Sequence, residues 1–216
     1  MIHRTRLELL IATGNIGKLR EIGESLRGLP LTLRYLQEFP DVSPVEEVGQ
    51  TYKENAILKA LSYSKHTAVF ALADDSGLEV VALGGAPGVL SARYGGDHAS
   101  DRERTKKLLT TLSRYPGQAR TAHFVCCMAL AGWHWGEDHP YNAHPRVLHV
   151  SEGRCEGVII ERPRGNNGFG YDPVFVPSGY SRTFAELPAK IKNVISHRAQ
   201  ALAAMRQFLE SMELDR

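Results

Sequence analysis

Cysteine is scarce and unpatterned in this chain. Its 216 residues include three, Cys126, Cys127 and Cys155, an odd number with no C-x-x-C spacing. That excludes a disulfide framework and a thiolate zinc site and fits a reducing cytoplasm. Cys126 and Cys127 lie in the run His123–Leu130, where they read as small buried strand residues. A positive excess is also missing: 26 Lys and Arg against 24 Asp and Glu leave a net charge of +2 with the nine histidines neutral. No stable nucleic-acid complex is expected on such a balance, and any phosphates the protein meets are few and locally held. Long apolar runs are absent. The stretch after Arg4 and Arg6 is broken by Glu8 and ends at Gly14, too short and too polar for a signal peptide or a membrane span. The expectation is a soluble, cytoplasmic protein without a membrane partner. Internal repeats, low-complexity tracts and the Walker A pattern G-x-x-x-x-G-K-[ST] are missing as well.

What remains is an ordinary globular composition, 43% hydrophobic, enough to bury a substantial core as one domain over residues 1–216 or as two closely packed lobes. Strand and helix signals alternate. Leu7 to Ala12 reads as a strand, a glycine turn follows, and a helix runs from Leu19 to about Leu29; Leu31 to Leu36 is a second strand, and Asp41 to Gly49 is a loop. Thr51 and Glu54 have capping-box spacing and predict a helix over Tyr52 to Lys65, with Ile57, Leu58 and Leu61 on its buried side. Phe70 to Asp74 is a strand that stops at an Asp-Asp-Ser-Gly turn. Leu83 to Gly96 is a glycine-rich loop; Ser100 and Glu103 start a helix that ends near Pro116; Ala119 to Ala131 is a long strand; Gly132 to Pro145 is a hairpin insertion. Strands follow at Arg146–Cys155, Gly157–Glu161 and, after the loop Pro163 to Gly170, Tyr171–Val176; Thr183 and Glu186 open a short helix, and Ser196 renews it to Met212. This order predicts an α/β fold with a central mixed, twisted sheet flanked by helices.

Chemistry concentrates in a few places. Asp74 and Asp75, at the carboxyl end of a strand, sit where ligands gather in open α/β sheets and could hold a metal, although the same residues also make a hydrophilic turn. The loop of Thr13, Gly14, Asn15, Ile16, Gly17 and Lys18 offers backbone N–H groups, a helix start and one cation to phosphate oxygens, or it is an ordinary strand-to-helix turn. Phe169, Gly170, Tyr171 and Asp172 place two aromatics and a carboxylate among glycines, suited to stacking a flat base, and Lys192, Ser196, His197 and Arg198 add donors. Taken singly, these aromatics could be core and Arg198 a solvated helix residue; as a set they fit a keto purine carrying phosphates. The spacing by five of His134, His139 and His144 carries no companion ligand pattern and is not read as a metal site.

Several of these motifs, with Glu46 to Thr51, Glu54 to Ala56, Lys59, Gly85 to Gly88 and Ser91 to Tyr94 between them, resemble in content and order the non-canonical purine nucleoside triphosphate pyrophosphatases, the inosine triphosphatase family. The likeness runs from Thr13 to Arg198. It implies two lobes with the nucleotide in the cleft between them and a Mg²⁺-dependent homodimer that converts ITP, dITP and XTP to the monophosphate and pyrophosphate, clearing deaminated purines from the nucleotide pool. It further implies Asp75 as proton acceptor and metal ligand, with Glu46 or Glu47 as a second ligand. Thr13 to Lys18, Lys59, Ser76, Phe169 to Asp172, Lys192, His197 and Arg198 would be substrate contacts. The Gly132 to Pro145 segment is longer than the family pattern needs. A pyrophosphatase for modified pyrimidines and a nucleotide sensor without turnover are the competing expectations; the purine-type pocket argues against the first and the metal-poised carboxylate against the second.

Overall fold

A computed structural model of the chain describes residues 6–115, 120–133 and 144–214. Most of the expected insertion at 132–145, including His134 and His139, lies outside them; His144, at its edge, is exposed.

The strands are β1 (Leu7–Ile11), β2 (Leu31–Tyr35), β3 (Phe70–Val80), β4 (Thr121–Gly132), β5 (Arg146–Ile159) and β6 (Phe175–Pro177), in one sheet of order β2-β1-β3-β4-β5-β6. The sheet is mixed: β1 runs parallel to β2 and β3, whereas β5 and β6 are antiparallel. Helices α1 (Ile16–Ser25), α2 (Tyr52–Thr67), α3 (Asp101–Leu112), α4 (Ala189–Ile195) and α5 (His197–Leu214) flank it. The α/β expectation therefore holds. None of the described helices is long and apolar enough to cross a membrane.

The described residues through Asp75, with Cys127–Ser151 and those from Ala201 onward, make one compact unit; Ser76–Cys126 and Glu152–Gln200 make the other. In the first unit Leu9, Leu10 and Ile11 of β1 are all fully buried, the pattern of a parallel strand covered on both faces. Arg206 of α5 donates to the carbonyls of Ser25 and Arg27, at 2.6 and 3.0 Å, satisfying acceptors at the end of α1. In the second unit Leu78, Val80, Leu108, Leu112, Phe124, Phe175 and Phe184 share one core, with Phe124 edge-on to Phe175 at 4.7 Å between ring centres.

Several local expectations give way to tertiary structure. Helix α1 starts at Ile16 rather than Leu19, because the Asn15 side chain accepts from Lys18 N and caps it. Strand β3 does not stop at Asp74 but runs through Asp-Asp-Ser-Gly to Val80, so both carboxylates are strand residues; β1 is the strand that ends nearby. Strand β5 is not interrupted at Gly157. An alanine Cβ there would overlap the Phe175 ring and the Val176 carbonyl, so the glycine permits close strand approach rather than marking a turn. The Thr183–Glu186 capping box forms, but only a turn follows; helix α4 waits until Ala189, after Pro188, whose predecessor is disfavoured in the α region. Tyr171 to Val174 is a turn and a 3-10 segment, and only Phe175–Pro177 is strand.

The three cysteines are buried and unbridged, and burial pushes the Cys155 thiol up to about 11. Because the thiolate is the reactive form, native protein at pH 8 should titrate almost no thiol with Ellman's reagent and three after denaturation. Fast labelling of the native protein would contradict the placement of these strands.

Candidate active site

The first unit gathers acids and lysines around β3. Strand β1 ends at Ile11, level with Leu72 of β3, and the turn after it starts α1, whose first turn brings Lys18 Nζ to 2.8 Å from Asp74 Oδ2. Asn15, its cap, and Ile16, its first residue, are exposed, and the backbone N–H groups that open a helix have no intrahelical partner. Along a strand, successive side chains alternate in direction, and Asp75 meets α2 instead. Asn55 Nδ2 donates to Asp75 Oδ2 at 3.0 Å, and Lys59 Nζ lies 3.9 Å from Asp75 Oδ1. Lys59 also bonds Glu47 Oε1 at 2.5 Å. Of the two candidate glutamates, Glu47 is thus the one seated beside Lys59, while Glu46 is exposed.

Charge follows from this packing. Burial lifts the Asp75 carboxyl above the ordinary carboxylate range, and nearby Glu47 adds to that, against the pull of Lys59, Asn55 and Lys18. Burial works against the Lys59 ammonium, yet Asp74, Asp75 and Glu47 together hold it above the usual lysine value. Lys59 is therefore a charged group in a largely desolvated place, where a fixed cation acts strongly on an anion.

In the second unit two cations stand over the Phe169 ring. Lys192 Nζ sits 4.5 Å from its ring centre and the Arg198 guanidinium 5.6 Å, distances typical of cation–π contact. Arg198, only 1% exposed, donates from Nη2 to Ser76 Oγ at 2.8 Å. The His197 ring stacks on Phe124 at 4.7 Å. Asp172 is turned inward: its Oδ2 accepts from Phe169 N at 3.0 Å and from Lys192 Nζ at 2.5 Å. It ties the Phe169 backbone to Lys192. Tyr171 likewise departs from the expected second stacking aromatic. It is 4% exposed, belongs to the core and donates its hydroxyl to Ser91 O at 2.9 Å, and burial raises its phenol well above the usual tyrosine value.

Three supports escaped the sequence reading. Asp101 and Thr105, one helical turn apart on α3, grip both ends of the Gly170 peptide: Asp101 Oδ2 accepts from Gly170 N at 2.6 Å, and Thr105 Oγ1 donates to its carbonyl at 3.4 Å. Asn55 is the third. It lies within the Glu54 to Ala56 motif, but the sequence assigned it no role. Among the described residues no three His, Cys, Asp or Glu side chains form a self-contained metal cage.

Known proteins resemble this chain along most of its length. A family model described as the Ham1 family matches residues 9–208. The dITP/XTP pyrophosphatase of Geobacter sulfurreducens is 48% identical over 93% of this chain and 96% of its own length. That of a Thermus thermophilus strain is 48% identical over 92% and 90%. Among solved structures, a HAM1 protein from Coxiella burnetii superposes with a TM-score of 0.81 at 43% identity, covering 95% of this chain and 99% of the other.

Proposed function

This chain belongs to the Ham1 family, and from that premise we propose that it hydrolyses non-canonical purine nucleoside triphosphates, dITP, XTP and ITP, to the monophosphate and pyrophosphate. The relatives carrying the dITP/XTP pyrophosphatase name support the substrate class. The observation that carries the reading is the convergence on Asp75 of Lys59 and Asn55, with Glu47 paired to the same Lys59, residues that a hydrophobicity pattern would never group.

Asp75 is the proton acceptor in this reading. Its Oδ2 is held by Asn55, and Oδ1, on the side of Lys59, orients a water for in-line attack at the α-phosphorus and takes its proton. Lys59 and Lys18 lie beside the acidic pair and stabilise the charge that builds on the departing pyrophosphate. The donor set also fits Mg²⁺: two carboxylates, Asp75 and Glu47, offer hard oxygen ligands, and this ion commonly takes one or two carboxylates and completes its shell with water and substrate phosphates. When bound there, the ion would supply Lewis-acid neutralisation of the charge that builds on the leaving group.

Base choice is assigned to the second unit. Phe169 stacks the purine, and Lys192 and Arg198, which donate but cannot accept, face its polar edge. A 6-keto group is satisfied by donors, whereas the 6-amino group of adenine meets donor against donor and leaves buried polar atoms unpaired. Sites of this kind discriminate by about 10⁴. The 2-oxo group of xanthine is likewise acceptable, and the 2-amino group of guanine is not.

The test is release of pyrophosphate from dITP, XTP, dATP and dGTP, with Mg²⁺ and with chelator. The expected result is metal-dependent pyrophosphate from the first two and rates about a hundredfold or more lower on the others. Release of orthophosphate, or equal rates on all four, would defeat the proposal.

A further inference from the structure

Asn55 is fully buried on α2, yet polar, and its two ends are bonded in different directions. Nδ2 donates to Asp75 Oδ2 at 3.0 Å, while Oδ1 accepts from Gly49 N at 2.7 Å, two residues beyond Glu47. The neighbouring backbone is tied down to the same helix end: Gln50 N and Thr51 N donate to Glu54 Oε2 at 2.8 and 3.1 Å, and Lys59, one turn along α2 from Asn55, bonds Glu47. Gly49 is required for this approach. A Cβ on it would stand 2.7 Å from Asn55 Oδ1 and 2.8 Å from Glu54 Cβ, closer than real Cβ contacts come.

We propose that Asn55 is a positioning residue that locks the Glu47-bearing segment to Asp75 and so presets the two carboxylates for a divalent cation. The inference rests on the reading of Asp75 and Glu47 as the acidic pair of the proposed pyrophosphatase. Its physical basis is the amide's double role. A buried amide must satisfy donor and acceptor ends, and the two partners it meets here are one acid and the backbone of the segment carrying the other. Without it Asp75 loses a donor that fixes its rotamer, and the 47–50 segment loses its anchor.

The experiment compares wild type with Asn55→Ala and with Gly49→Ala, which disturbs the same bridge without replacing a residue of α2. Mn²⁺ binding to nucleotide-free protein is measured by water-proton relaxation, and the Mg²⁺ dependence of dITP turnover is measured alongside. Groups that orient metal ligands typically contribute about 10- to 100-fold in affinity. Both variants should therefore bind Mn²⁺ about tenfold more weakly and need correspondingly more Mg²⁺ for half-maximal rate, with KM for dITP at saturating metal little changed. Should Asn55→Ala not fold, Gly49→Ala decides. Wild-type Mn²⁺ isotherms in a folded variant, whatever its melting temperature, would reduce Asn55 to packing and overturn the inference, as would absence of Mn²⁺ binding by the wild type. Metal-independent or absent turnover of dITP by the wild type would instead bring down the proposed function itself.

Discussion

Asp75→Asn is expected to fold and to lose turnover of dITP by about a thousandfold, within the range general-base groups contribute. The substitution keeps volume and shape while removing the charge proposed to accept the proton. Stability should change little, because two effects oppose each other. Burial disfavours the Asp75 carboxylate, so a neutral group relieves a desolvation cost; Lys59 loses one acidic neighbour but keeps Glu47 at 2.5 Å. Steady-state kinetics with a thermal melt separate the outcomes. A variant within about tenfold of the wild-type rate would remove Asp75 from the chemistry. A variant that fails to melt cooperatively would make it a folding residue.

The placement of Asp75 also marks the limit of what sequence could tell. Local chemistry favours a turn at Asp-Asp-Ser-Gly, because those side chains bond their own backbone. It loses here since β3 pairs with β1 up to Leu72 and because Lys18 and Asn55 supply partners for the two carboxylates farther along. None of those partners is near in sequence. Helix α2 is a sharper case. Its limits were legible from the capping box, which forms as expected with Thr51 and Glu54. Its buried face was not: Leu58, expected inside, is 37% exposed. The buried stripe is Tyr52, Asn55, Ala56, Lys59, Ala60, Tyr63 and Ser64, a clean helical period made largely of polar or small residues. A hydrophobicity pattern finds cores built from apolar contact; it misreads a helix whose inward face is there to pair with carboxylates. The motif residues were found because glycine loops and clustered charges leave a local trace, whereas Asp101 and Thr105 act on them from another element and leave none.

The second large effect concerns the Lys192–Asp172 pair beneath Phe169. Both side chains are almost completely buried, and they meet at 2.5 Å. Breaking such a pair from one side leaves a charge without its counterion in a desolvated place, which typically costs about 3–5 kcal/mol, whereas replacing both members with neutral groups is often nearly neutral. Lys192→Met and Asp172→Asn should therefore each lower the melting temperature by roughly 6–20 °C. The double variant should regain most of that loss. Activity should behave differently. Lys192 is the nearer cation over the Phe169 ring, and Asp172 holds the Phe169 N–H, so the double variant restores the fold without restoring the donor proposed to face the base. Its selectivity for dITP over dATP should stay at least tenfold below wild type while its melt approaches wild type. A double variant as unstable as the singles would mean that the cost lies in packing against Phe169 and Phe184 rather than in charge. One that recovered selectivity along with stability would move base recognition away from Lys192 and onto Arg198, which stands over the same ring and is anchored to Ser76.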